Sequence, residues 1–201
     1  MTKIQKPLEQ LADTEGLGLF RVPFVATIDD VMNAAECSAL VDRIEALGPE
    51  VATITRGNGN FELNTRVRNN DRAIFDDTAL AADLFARLGD AIPATWQGGA
   101  VAVGLNERFR AYRYGPGQRF APHFDGCFRR DEREASEITV MLYLNDGCDG
   151  GETAFLDFET KIVPKRGMVL LFQHTILHEG CLVRAGSKYV LRSDVMYRTS
   201  R

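Results

Sequence analysis

From residue 100 onward the sequence is a succession of short apolar runs of β type, each bounded by residues that favour turns. The turn signals include YGPG at 114–117, NDG at 145–147 and DGG at 149–151. A series of short strands with no helical pattern between them is typical of a β-sandwich or barrel. The predicted strands lie at residues 109–114, 138–144, 152–156, 160–163, 168–173 and 189–197.

The first half of the chain carries two helical patterns. Asn33 begins the sequence NAAE, which has the form of a capping box, and apolar residues recur at helical spacing from there to the Gly-Pro pair at 48–49. A second helical pattern covers residues 78–91 and ends before Pro93. Helices first and strands later predict an α+β fold in which the helices pack on the outside of one sheet.

Length and composition bound the class of protein. We expect a single domain over residues 1–201, with a helical part at about 1–95 and a β-barrel core at about 100–198. The net charge of −4 disfavours a nucleic-acid partner, because such proteins usually carry a basic surplus. We find neither a secretory pattern nor a membrane-spanning apolar run. The four scattered cysteines favour reduced thiols in the cytoplasm over two disulfides in an exported protein.

The histidines of the strand-rich half suggest a metal site. His123 and Asp125 are two residues apart in the sequence FAPHFDG, so in an extended segment both side chains point to the same face. A third ligand from a distant strand, His178, would complete a set of two histidines and one carboxylate, which leaves open positions on iron(II). The alternatives are that the H-x-D pair is only hydrogen-bonded and that His174, which we interpret as a polar strand end, holds the metal.

Five motifs occur in one order: YGPGQRFAPHFD at 114–125, TVMLYLN at 139–145, GGETAF at 150–155, HEG at 178–180 and GSK at 186–188. Together they resemble the prolyl 4-hydroxylase-like branch of the 2-oxoglutarate/iron(II) oxygenases. The resemblance covers residues 100–197 closely and implies a double-stranded β-helix of the jelly-roll or cupin type. It also implies that His123, Asp125 and His178 are catalytic iron ligands.

The same resemblance implies the residues that contact 2-oxoglutarate. Lys188 matches the basic residue that pairs with the far carboxylate of this cosubstrate, and Tyr114 and Tyr143 match hydroxyls that reach it. Thr139 lies on the same strand face as Tyr143. Arg192, four residues beyond Lys188, is an alternative anchor because arginine binds a carboxylate with two parallel hydrogen bonds.

The implied reaction is hydroxylation of an unactivated C–H bond. Halogenating members of the superfamily lack the carboxylate ligand, so the presence of Asp125 favours hydroxylation. The cofactors would be iron(II), 2-oxoglutarate and O2, with ascorbate as a reductant, and the coproducts would be succinate and CO2. The first alternative is a metalloenzyme on the same scaffold that uses no cosubstrate. A nucleic-acid demethylase and a catalytically silent binding domain are the others.

The substrate is predicted to be a prolyl or other residue of a peptide or protein, and the alternative is a free amino acid or another small molecule. Arginines are dense near the predicted mouth of the barrel, in the polar segments 56–60 and 65–72 and on the first strand of the core. Such segments are either solvated loops or substrate-facing ones. We expect substrate contacts from Arg66, Arg68 and Arg110. The protein is expected to be a monomer or a homodimer.

Overall fold

The computed structural model describes residues 4–5, 23–55 and 61–200. The predicted polar segment 56–60 lies outside these residues. The helices are α1 (Ala34–Ala46) and α2 (Thr78–Leu88), with short 3-10 turns at Gly89–Ala91, Gln97–Gly99 and Leu156–Phe158. The strands are β1 (Ile4–Gln5), β2 (Val25–Ile28), β3 (Glu50–Val51), β4 (Ile54–Thr55), β5 (Phe61–Glu62), β6 (Asp71–Asp76), β7 (Val101–Leu105), β8 (Arg108–Tyr114), β9 (Phe120–His123), β10 (Glu134–Tyr143), β11 (Asp149–Gly150), β12 (Thr153–Phe155), β13 (Thr160–Ile162), β14 (Val169–Gln173), β15 (His178–Gly180), β16 (Val183–Ala185) and β17 (Lys188–Arg198).

Two facing sheets form the body of the protein. In the described residues the major sheet has nine strands, in the order β1-β2-β14-β10-β17-β8-β6-β3 with β7 paired to β17. The minor sheet has four, in the order β13-β12-β15-β9. The remaining strands form two short pairs, β11 with β16 and β4 with β5. This is the expected double-stranded β-helix, except that its two sheets do not close into a continuous barrel.

Side-chain alternation divides the core between the two faces of the major sheet. On β10, Ile138, Val140 and Leu142 belong to a core cluster on the helix side of the sheet. On the same strand Tyr143 belongs to a second cluster between the two sheets. The long strand β17 alternates in the same way, so Lys188 and Arg192 share the inner face. The interior between the sheets is where polar side chains meet.

The two helices form as their local signals predict. The Asn33 side chain accepts from the Glu36 backbone N–H at 3.0 Å, and the Glu36 carboxylate accepts from the Asn33 backbone N–H at 2.8 Å, which completes the capping box of α1. Asp77 caps α2 by accepting from the Leu80 N–H at 2.9 Å. Buried residues of both helices join the core cluster on the outer face of the major sheet. The prediction that the helices pack on one sheet is confirmed.

The N-terminal part is less helical than the sequence suggested. Between residues 23 and 95 the structure has strands that pair with the C-terminal half: β2 pairs with β14, and β6 pairs with β8. Segment β2 is buried at all four positions, so it lacks the alternation that marks a strand. Asp71 and Arg72, predicted to lie in a polar loop, begin β6 because their partners on β8 supply the hydrogen bonds.

Candidate active site

Three side chains with metal-binding atoms converge between the two sheets. His123 ends β9 and His178 begins β15, and the two residues face each other in the antiparallel pairing of these strands. Asp125 follows two residues after β9, where its backbone N–H donates to the carbonyl of His174 at 3.2 Å. The possible ligand atoms of His123, Asp125 and His178 all lie within 4.8 Å of one another. The three residues predicted from motif and spacing are therefore neighbours in space.

Backbone carbonyls select the tautomer of both histidines. Nδ1 of His123 lies 2.8 Å from the carbonyl oxygen of Ala121, and Nδ1 of His178 lies 3.0 Å from that of Ile176. Only a protonated Nδ1 hydrogen-bonds a carbonyl, so each neutral ring keeps the lone pair of Nε2 for another partner. Both Nε2 atoms lie 3.7 Å from an oxygen of Asp125. Two imidazole nitrogens and one carboxylate suit iron(II).

Burial and charge place the three side chains in the protonation states that bind a cation. Burial, followed by the neighbouring His178, lowers the pKa of His123 to about 4. Burial also lowers the pKa of His178. Burial alone would raise the pKa of Asp125, but Arg192 and the two histidines hold it below its usual range. At neutral pH the cluster therefore consists of two neutral imidazoles and a carboxylate.

Asp125 is held by two side chains from the major sheet. Thr139 donates its hydroxyl to Asp125 Oδ2 at 2.6 Å, and Arg192 Nη1 lies 3.2 Å from Asp125 Oδ1. Arg192 also donates from Nη2 to Asp194 at 2.9 Å. Thr139, predicted to contact 2-oxoglutarate, is thus placed to orient a predicted iron ligand. Arg192, the alternative cosubstrate anchor, already has two carboxylate partners.

Lys188 is a buried cation in the same inner cavity as the His–Asp–His cluster. Its side chain is almost completely enclosed, and Nζ donates to the carbonyl of Gly151 at 2.6 Å. Within the described part of the chain, no carboxylate forms an ion pair with it, and Glu152 acts on it only through its charge. Burial lowers the pKa of Lys188 to about 8. Since a buried ammonium without an acidic partner is costly, this cation fits a carboxylate supplied by a ligand.

Hydroxyl and aromatic groups surround Lys188. Its Nζ lies 5.1 Å from the ring centre of Tyr114 and 5.5 Å from that of Tyr143. The Tyr143 hydroxyl shares a hydrogen bond of 2.7 Å with Thr153, which lines the inner cavity. Thr153 was missed in the sequence, although it ends the GGET run at 150–153 and begins β12. Its place in that motif, at a strand start, is the signal that could have identified it.

A larger outer cavity of about 550 Å³ opens onto His123 and Asp125. Of the predicted substrate residues, Arg68 and Arg110 line it. Arg66 is solvent-exposed and lies outside the lining. Arg72 is a further lining residue, which the sequence marked only as part of a polar segment.

His174 does not join the metal cluster. It is buried, and its Nε2 lies 3.4 Å from Asp194 Oδ1. The ring of His174 thus lies beside Asp194 and not beside Asp125, so the structure does not favour the alternative in which His174 holds the metal.

No helix in the ranges 23–55 and 61–200 has the length and apolarity needed to cross a bilayer. All four cysteines are free thiols, with Cys37 buried and Cys127 exposed.

Comparison with known sequences finds similarity within the strand-rich half of the chain. The family model of the 2OG-Fe(II) oxygenase superfamily matches residues 109–193. The human prolyl 4-hydroxylase subunit alpha-1 is 28% identical over 105 residues, which cover 44% of this chain and 20% of that protein. A probable prolyl 4-hydroxylase 11 of Arabidopsis thaliana is 38% identical over 73 residues, or 33% of this chain and 24% of the relative. The chain thus spans about a fifth to a quarter of the length of these relatives.

Comparison with solved structures extends the likeness to most of the chain. The viral collagen prolyl hydroxylase of Paramecium bursaria Chlorella virus-1, solved with 2-oxoglutarate, has a TM-score of 0.61 at 22% identity and covers 88% of this chain and 97% of its own. A prolyl-4-hydroxylase from Pseudomonas putida has a TM-score of 0.60 at 19% identity, covering 87% and 93%. At these identities the likeness establishes the fold.

Proposed function

We propose that this chain is a member of the prolyl 4-hydroxylase-like branch of the 2-oxoglutarate/iron(II) oxygenases and that it hydroxylates an unactivated C–H bond of a prolyl or other residue in a peptide or protein. One observation carries the proposal. The His–Asp–His cluster faces the same inner cavity as Lys188, a buried lysine that forms no ion pair with a carboxylate of the described residues. This pairing fits a metal and a dicarboxylate cosubstrate together. A metalloenzyme without a cosubstrate would leave Lys188 without a role.

The chemistry of the donor set fits iron(II). We propose that His123, Asp125 and His178 hold the metal, with the Nε2 atoms of both histidines and one carboxylate oxygen as ligands. Iron(II) with 2-oxoglutarate supplies the oxidising power, consuming O2 and releasing succinate and CO2. Thr139 and Arg192 would keep Asp125 in its orientation while the backbone carbonyls keep both imidazole rings in theirs.

Lys188 is proposed as the anchor of the far carboxylate of 2-oxoglutarate. Arg192 shares the cavity, but its charge is already opposed by Asp125 and Asp194. A ligand carboxylate on Lys188 would offset the cost of burying an unpaired ammonium. The hydroxyl groups of Tyr114 and Thr153 border the same space and would bind the same carboxylate.

Aromatic side chains shield the cluster from water. The Phe120 ring stacks on His123 with ring centres 3.5 Å apart, and Phe172 meets His178 edge-on at 4.5 Å. Both rings restrict how the imidazoles rotate. Phe120 also lines the inner cavity, where its apolar ring would help to keep solvent from the reacting centre.

The relatives named above support a prolyl residue in a peptide as the substrate. The outer cavity reaches His123 and Asp125 from the protein surface, so a peptide bound there would present a side chain to the metal.

The free thiols support a reducing compartment such as the cytoplasm. Ascorbate is the proposed external reductant, and size-exclusion chromatography would decide between a monomer and a homodimer.

Binding of iron(II) and 2-oxoglutarate under anaerobic conditions tests the proposal. The complex should show the weak visible charge-transfer band of the chelate, and exposure to O2 should then yield succinate. His178→Ala should lose the band, whereas His174→Gln, outside the cluster, should keep it. Metal binding without the band and without succinate would reject the oxygenase and favour a metalloenzyme that uses no cosubstrate.

A further inference from the structure

The outer cavity is rich in positive charge. Four guanidinium groups line it, and Asp125 is the one carboxylate among the described lining residues. The arginines are Arg68, Arg72, Arg110 and Arg192. In a concave site, charges of one sign raise the local concentration of ligands of the opposite sign. A cavity of this composition therefore favours an anion.

Two of the four arginines form ion pairs with carboxylates of the protein. Arg192 contacts both Asp125 and Asp194, and Arg110 Nη1 lies 3.2 Å from Asp194 Oδ2. Asp194 is fully buried, so it serves these two groups as an internal counter-ion. The excess of positive charge in the cavity accordingly resides on Arg68 and Arg72.

Arg68 is a buried residue in the lining of the outer cavity, and its guanidinium group has an unused hydrogen-bond donor. The residue is only 5% exposed, and its guanidinium lies 4.4 Å from the ring centre of Tyr112 and 4.3 Å from that of Phe120. Its Nε donates to Asn70 at 2.8 Å, whereas the buried Nη2 has no hydrogen-bond partner among the described residues. An unsatisfied buried guanidinium donor is costly, and a bound anion would remove the cost.

Arg72 adds a second positive group beside the first. Its Nη2 donates to the Thr53 hydroxyl at 3.0 Å and its Nη1 to the Thr53 carbonyl at 3.4 Å, both of them neutral acceptors. Burial, followed by the nearby charges of Arg68 and Arg110, lowers the pKa of Arg72. Arg72 therefore shares this cavity with Arg68 and has only neutral hydrogen-bond acceptors.

We propose that Arg68 and Arg72 form a carboxylate-binding subsite that selects substrates bearing a carboxylate beside the hydroxylated residue. The inference rests on the proposed function of the neighbouring metal cluster. A planar guanidinium held between two aromatic rings presents its donors in the fixed geometry that a carboxylate accepts. Lys188 belongs to the inner cavity and lies outside this lining, so the subsite differs from the one proposed for 2-oxoglutarate.

The subsite lies close to the predicted reacting centre. The Phe120 ring contacts the guanidinium of Arg68 and also stacks on the imidazole of His123. The Phe120 ring thus lies between the guanidinium of Arg68 and the imidazole of His123, a proposed iron ligand. The carboxylate should therefore belong to the target residue itself, as in a free amino acid, or to a residue adjacent to it in a peptide, as in an acidic side chain.

Matched pairs of probes distinguish these two sources. The peptide probes are acetyl-Glu-Pro-Gly-amide and acetyl-Gly-Pro-Glu-amide, each with its Gln counterpart, and the amino-acid probe is L-proline with L-prolinamide. Calorimetry measures their binding to the protein loaded with iron(II) and 2-oxoglutarate without O2. At least one acidic probe should bind about 30-fold more tightly than its neutral counterpart, since an unpaired buried charge is costly. The pair that shows the preference identifies the source.

Substitutions then assign the preference to the two arginines. Arg68→Met, which keeps the packing on both rings, should abolish the preference, and Arg72→Gln should reduce it by about 10-fold. Arg119→Gln, at an exposed position outside the lining of the outer cavity, should leave the preference within twofold. Circular dichroism verifies folding, and Arg72→Gln provides the test if Arg68→Met fails to fold.

Equal or undetectable binding within all three pairs would overturn the proposal, as would a preference that survives both substitutions. Failure of the proposed function has a different signature, because it removes the visible chelate band and succinate formation. In that case calorimetry on the protein without iron(II) and 2-oxoglutarate should still show the preference for the acidic probe and its loss in Arg68→Met.

Discussion

Arg192 Nη1 lies 3.2 Å from Asp125 Oδ1, so the carboxylate proposed to bind iron has a buried cationic partner within the protein. The same guanidinium reaches Asp194 through Nη2 at 2.9 Å. A metal ion bound at the cluster would therefore share this carboxylate with Arg192. We expect the stability of the metal-free site to depend on Arg192 and that of the metal-bound site to depend on both cations.

Replacing Arg192 should make the protein more dependent on iron. In Arg192→Met, Asp125 and Asp194 lose a shared counter-ion, so the metal-free Tm should fall. Iron(II) would compensate Asp125, and the iron-induced rise in Tm should be larger in the variant than in the wild type. Scanning fluorimetry under anaerobic conditions measures both values. Equal iron-induced shifts would contradict the coupling. Arg184→Met, which removes an exposed pair with Asp149, is the control and should change little.

Lys188→Met should separate cosubstrate binding from metal binding. The buried ammonium has a single carbonyl acceptor, Gly151, so its removal without cosubstrate should leave Tm unchanged or higher. The Kd for 2-oxoglutarate should rise by about 30-fold or more, because the ligand carboxylate loses its buried partner. Chelator competition should show an iron(II) affinity within about threefold of the wild-type value. An unchanged Kd for 2-oxoglutarate would instead point to Arg192 as the anchor.

Thr139→Val tests the orientation of Asp125. The substitution keeps the shape of the side chain and removes the 2.6 Å hydrogen bond to Asp125 Oδ2. Iron(II) affinity should fall by about 10- to 100-fold, the usual effect of losing a hydrogen bond to a metal ligand. Chelator competition provides the measurement. Thr175→Val, at an exposed position, is the matched control, and similar losses in both variants would refute a specific role for Thr139.

Acid should destabilise the metal-free protein through His123. Its pKa is lowered to about 4 by burial and by His178, whereas an unfolded histidine titrates near about 6.5. Between these values the unfolded chain binds the extra proton, so stability is present above about pH 6.5 and is lost as the pH falls toward 4. The loss should be on the order of 3 kcal/mol. Urea unfolding should show a smaller pH dependence in His123→Gln, and an identical dependence would contradict this assignment.

Local signals predicted the elements whose formation depends on nearby residues. The capping box at Asn33 placed the start of α1, and the strand predicted at 138–144 overlaps β10 over residues 138–143. The strands β2 and β6 were missed because each owes its extended form to partners far along the chain, on β14 and β8. For β2 the side chains are buried on both faces, so hydrophobic periodicity carries no information about it.

The sequence by itself determined the order of the motifs, the H-x-D pair and the identity of the distant His178, because residue types and short spacings are properties of the chain. The tertiary structure decided which cations have carboxylate partners. Asp194 neutralises Arg110 and Arg192, whereas the Arg68 guanidinium keeps an unpaired Nη2. Ion pairing depends on distances between side chains of different strands, and those distances follow from the pairing of strands that lie far apart in the sequence, such as β17 with β8 and β10.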